Sequence, residues 1–155
     1  MDQKFSKEAY AKAYEYEKIF EGCSQPLLLA LFELLNIEND MMLKAVSGFA
    51  GGISRMKSTC GALLTGVLIL GIKYGREKMD LESFENLLKS YNPVQRLFRW
   101  FQEEFGSTNC FEITRTDLSN PIERNEWITS GRVEFCNQLI GKTAEKVSEL
   151  LEGRI

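Results

Sequence analysis

The chain has 155 residues, 44% hydrophobic and 26% charged, the length and balance of one ordinary globular domain with a single core. A formal charge of -3 lacks the basic footprint that sequence-independent nucleic-acid binding needs, and it argues against acidic partners. Four cysteines and no histidine mean that any thiol or metal chemistry is sulfur chemistry, and no serine, histidine and acid triad can be drawn.

The apolar period is helical nearly everywhere, which predicts an all-α, multi-helix bundle of about six to seven helices in a single domain, 1–155. A first amphipathic helix is expected over 6–21, capped by Ser6 and stopped by Gly22, with Ala9, Ala13, Tyr16 and Phe20 on one face. A second begins near Ser24 with Pro26 in its first turn, and 27–35 is apolar almost all round, the mark of a central helix. A third spans about 39–47 and gives way to Gly48, Gly51 and Gly52, which demand a loop. A fourth runs from Cys60 to Tyr74, where Ala62 and Gly66 would let another backbone approach closely. Leu81, Phe84, Leu87, Leu88 and Tyr91 form the next stripe. Asn92-Pro93 then starts another helix carrying Val94, Leu97, Phe98, Phe101 and Phe105. After a short helical turn at Cys110, the polar stretch 115–126 reads as a surface loop, and a last helix spans about 130–152 with Val133, Cys136, Ile140 and Ala144 inward.

The N-terminus has no apolar core of the kind a signal peptide requires, and the longest apolar stretch, 62–72, is too short to span a bilayer. A cytoplasmic protein is expected, and in a reducing compartment scattered cysteines read as free thiols, metal ligands or a working redox pair.

Cys23, Cys60 and Cys110 each stand where a helix begins, and exposed amides with the positive end of the macrodipole favour thiolates there, most of all at Cys60 and Cys110. Cys136 lies inside a helical pattern, and all four are expected to point inward. Inward thiols fit three readings. They can be inert core residues, or a thiol and disulfide couple whose partners meet in space, since no Cys-x-x-Cys pair exists. They can also be ligands of a four-thiolate metal or iron-sulfur site drawn from four helices. In the glycine segment, Gly51, Gly52 and Arg55 invite an anion-binding reading, although a sharp turn explains them more simply. Glu33, a carboxylate in an apolar helix, fits a buried acid but is read first as reaching back to solvent, and the aromatics Phe98, Trp100, Phe101 and Phe105 are read as core.

As a set, the cysteine contexts are distinctive. They are Gly22-Cys23-Ser24-Gln25, Ser47-Gly48-Phe49-Ala50-Gly51-Gly52, Thr59-Cys60-Gly61-Ala62, Leu70-Gly71-Ile72-Lys73-Tyr74-Gly75, Phe105-Gly106-Ser107-Thr108-Asn109-Cys110, and Cys136 followed by Leu139-Ile140. Over about residues 10 to 150 they resemble the family named for its C-GCAxxG-C-C pattern and described as redox-active. All four family cysteines are present in order, with Gly61 and Ala62, while the pattern's later glycine is replaced by Thr65 and followed by Gly66. The resemblance implies redox chemistry at the cysteines, genes often near those of transporters, and kinship with part of the split-Soret cytochromes, which hold haem and an iron-sulfur cluster. No haem-attachment feature is present in this chain, so haem is not expected.

Together these readings predict a redox protein whose Cys23, Cys60, Cys110 and Cys136 converge as ligands of an iron-sulfur cluster or other thiolate-bound metal in electron transfer. A metal-free thiol oxidoreductase using the same residues, and a helical interaction protein associated with a transporter, are the alternatives. An unidentified redox protein is the expected partner, and a homo-oligomer is compatible with the sequence.

Overall fold

In the computed structural model, which describes residues 3–153, the expected all-α bundle is found. Among the described residues there are eight α-helices: α1 (Gln3–Phe20), α2 (Ser24–Leu34), α3 (Asp40–Ala45), α4 (Gly61–Tyr74), α5 (Phe84–Phe105), α6 (Cys110–Thr114), α7 (Pro121–Thr129) and α8 (Val133–Leu151). All but the one-turn α6 are substantial, close to the expected six or seven.

The most extensive packing is between α1 and α8, where small residues let the helices close. Ala9, Ala13 and Ala144 are fully buried, and a side chain at Gly141 would come within 2.9 Å of the Tyr10 ring. Helices α2 and α4 fill the centre with Leu27, Leu28, Leu31, Leu63, Ile69 and Leu70, and α5 closes one side through Leu97 and Phe101. This all-round apolar character explains why α2 and α4 carry no polar face. At Gly66 a Cβ would come within 2.8 Å of Leu97 and 3.0 Å of Val147, so what presses on this glycine is two side chains, not the backbone expected there. Neighbouring Thr65 is buried, its hydroxyl donating to the Gly61 carbonyl at 2.8 Å.

Two segments differ from expectation. The stripes on either side of Asn92-Pro93 belong to one helix, α5, with buried Pro93 inside it. Proline costs a helix interior about 3 kcal/mol, and the single apolar face through Val94, Leu97 and Phe101, packed on the core, outweighs it. The N-terminal half carries exposed Phe84, Leu88 and Tyr91, and farther along the helix Phe98 is also more exposed than a core residue; Phe101 is buried, while Trp100 and Phe105 pack against the core. The second difference is α7, within the stretch read as a loop. Its start is a cap: the Asn120 side chain accepts from the amides of Ile122 and Glu123, with Pro121 in the first turn. Replacing Asn120 with Ala should lower the unfolding free energy by about 1 kcal/mol, read from the midpoint of a denaturant melt. An unchanged midpoint would mean that α7 is held by packing alone.

No helix among the described residues is long and apolar enough to cross a membrane.

Candidate functional site

Three successive residues with positive φ, Glu21, Gly22 and Cys23, turn the chain sharply after α1 and set Cys23 at the start of α2. Cys23 therefore precedes the helix and does not continue its apolar face. Ser24 anchors the corner, its buried hydroxyl donating to the Val46 carbonyl at 2.8 Å. The next anchor is Gly61. A Cβ there would lie 2.7 Å from Cys23 Sγ and 2.6 Å from the Phe49 carbonyl, so only glycine lets α4 begin against this thiol.

Cys60 and Cys110 are brought together by a short antiparallel bridge between Thr59 and Asn109. The Cys60 amide donates to the Thr108 carbonyl and the Cys110 amide to the Ser58 carbonyl, both at 2.8 Å. Asn109 locks the arrangement: its Nδ2 donates to the Lys57 carbonyl at 2.7 Å while its Oδ1 caps α6 through the Glu112 amide at 3.1 Å. Lys57 is itself paired with Asp117 at 2.7 Å. Cys136 comes from α8, and all four cysteines are free thiols.

These four thiols line one cavity of about 660 Å³, together with Glu17, Gly51, Arg55, Arg124, Trp127 and Asn137 among others. The inward convergence expected from sequence is found. Among the described residues no group of three or more His, Cys, Asp or Glu side chains is arranged to hold a single metal ion.

The expectation of thiolates at helix starts is overturned. Burial pushes the Cys60 thiol up to about 12 and the Cys110 thiol to about 11, and it drives Cys23 and Cys136 well above the ordinary thiol range. The amides of Ala62 and Leu63 at the start of α4 pull Cys60 the other way, as the Gly51 amide does Cys23, but desolvation is the larger effect. Charge on any one thiol also disfavours charge on its neighbours.

The glycine segment forms a left-handed turn. Gly51, Gly52, Ile53, Ser54 and Arg55 all have φ between 52° and 70°, a conformation that is especially costly for β-branched Ile53. Gly51 and Arg55 line the cavity, whereas Gly52 is packed behind Cys110. Glu33 reaches the surface, paired with Lys12 at 2.5 Å and accepting from the Tyr16 hydroxyl at 2.6 Å.

The buried acid is Glu17, which sequence reasoning passed over. It continues the four-residue spacing of Ala9 and Ala13 on α1, so the inward face runs through Glu17 and not through the expected Tyr16 and Phe20, of which Phe20 is exposed. Its carboxyl is raised from 4.5 to about 7, mainly by burial, with the Cys23 and Gly22 amides opposing the shift. Arg124, Trp127 and Ile128 were missed because they share one face of α7, whose signal was the Asn120-Pro121 start.

The model of the family described as "Putative redox-active protein (C_GCAxxG_C_C)" matches residues 22–150. The chain belongs to this family. The match takes in all four thiols, so the C_GCAxxG_C_C pattern in this chain marks one cavity wall by wall. An uncharacterized protein of Archaeoglobus fulgidus is 31% identical over 130 residues, covering 80% of each chain. No solved structure matches.

Proposed function

We propose that this C_GCAxxG_C_C protein is an electron-transfer protein whose Cys23, Cys60, Cys110 and Cys136 hold an iron-sulfur cluster. The observation that carries the reading is the convergence of four free thiols from four separate parts of the chain on one cavity of about 660 Å³. A polynuclear cluster spreads its thiolates over several irons, so it suits a wider ligand spacing than a single ion does. When bound, such a centre supplies one-electron transfer at a potential set by its ligands and surroundings.

The thiols' own chemistry supports this over metal-free exchange. A thiol with a pKa near 12 is ionised to roughly one part in 10⁵ at pH 7, too little for efficient attack on a disulfide. A metal centre deprotonates its cysteine ligands on binding, its positive charge opposing the desolvation that raises these thiols, at a cost in affinity that falls as pH rises. Arg55 and Arg124 are cationic residues of the same cavity lining. Gly61 and the Thr59–Asn109 bridge fix the positions of three of the sulfurs before anything binds.

Protein purified without oxygen, or reconstituted with iron and sulfide, should be coloured and contain both elements, and Cys60→Ala or Cys110→Ala should lose most of them. A protein that stays colourless after reconstitution, with a rapidly alkylated thiol, would replace this reading with thiol and disulfide exchange.

A further inference from the structure

Glu17 is 8% exposed, lines the thiol cavity, and leaves its Oε2 without a hydrogen-bond partner. The amides of Gly22 and Cys23 serve its carboxyl group, and no cation pairs with it among the described residues. Neighbouring Lys18 faces Glu15, 3.8 Å away. Glu17 lines the same cavity as all four thiols, together with Gly22 and Gly51. Buried polar groups in proteins are hydrogen-bonded or coordinate metals, and this one has an oxygen left over on the cavity wall.

We propose that Glu17 is a fifth ligand, its free Oε2 donating to one iron of the centre held by Cys23, Cys60, Cys110 and Cys136. The inference rests on the cluster reading above. A purely structural role, as acceptor for the turn at Gly22 and Cys23, accounts for one oxygen and leaves the other unexplained. Helix α1 holds the carboxyl in place through the Ala9 and Ala13 seam with α8, so the donor is positioned by the core and not by a mobile loop. A set of soft thiolates and one hard carboxylate suits iron better than copper(I), which prefers sulfur throughout. Binding releases the carboxyl proton to solvent at the cavity mouth, as it does the thiol protons, and no electron moves in that step.

The test compares wild type, Glu17→Gln and Glu17→Asp, each purified without oxygen and reconstituted with iron-57 and sulfide. Circular dichroism first establishes that each is folded. Iron and sulfide per chain, Mössbauer spectra and reduction potential are then measured. Wild type should show one iron subsite set apart by a larger isomer shift. Glu17→Gln should keep its iron and sulfide, lose that subsite, and shift to a more positive potential. Glu17→Asp retains the charge on a shorter arm and should also lose or weaken the subsite, which separates ligation from simple electrostatics. A Glu17→Gln spectrum identical to wild type, with iron bound in both, would overturn the fifth ligand and leave the cluster standing. A wild type that takes up no iron and sulfide would overturn both.

Discussion

Gly52→Ala is expected to destabilise the protein by about 3 kcal/mol or more and to disturb Cys110. Two independent costs meet at this position. The residue has φ 70°, where any L side chain costs about 1–2 kcal/mol. A Cβ would also lie 2.5 Å from Cys110 Cβ and 2.8 Å from the Ser58 carbonyl, both far inside contact distance. Ser58 cannot yield freely, because its carbonyl accepts the Cys110 amide and its own amide donates to the Gly52 carbonyl at 3.0 Å. Gly131→Ala is the matched control, since Gly131 has φ 81° with open space around it. It carries the conformational cost alone, about 1–2 kcal/mol. Thermal melts of both variants, with titration of thiol accessibility, check the prediction. Equal losses in the two would mean that the crowding at Cys110 has no energetic weight.

Glu17→Gln should stabilise the metal-free protein at pH 8 by up to about 3 kcal/mol, and by almost nothing near pH 4. In the folded wild type the carboxyl keeps its proton to about pH 7, while in the unfolded chain it ionises near 4.5. Between those values the folded state binds more protons, so wild-type stability falls as pH rises through the window. Glutamine is neutral throughout, and its carbonyl can still accept from the Gly22 and Cys23 amides. Denaturant melts across pH 4 to 8, plotted as the difference between the two proteins, isolate the effect from the thiols, which are common to both. A flat difference would mean that Glu17 is not buried as an acid. Stability sacrificed at one buried carboxylate is what a binding site typically shows.

The bundle was legible because its signals are local. Runs such as that of α2, and stops such as Gly22 and Gly75, act within a few residues. The errors arose where tertiary packing outweighed a local rule. Pro93 is a helix breaker by propensity, yet the Leu97 and Phe101 face carries the helix through it. The polarity of residues 115–126 hid α7, although Asn120 and Pro121 announced it. At the site, residue identity was legible and electrostatics were not. The cysteines could be named from their contexts, but helix-start geometry alone suggested thiolates, and the opposing desolvation depends on how four separate segments bury one another. Glu17 was legible only in its spacing from Ala9 and Ala13, and its burial is a property of the assembled turn at Cys23.

The bridge between Thr59 and Asn109 also bears on how fast the chain folds. It joins strands of chain whose fastening residues, Lys57 and Asn109, are 52 positions apart. Closing a loop of that length costs entropy before any contact repays it, whereas each helix forms from neighbours in sequence. A fastening across that separation adds a non-local contact to the bundle, and contacts of that kind slow folding.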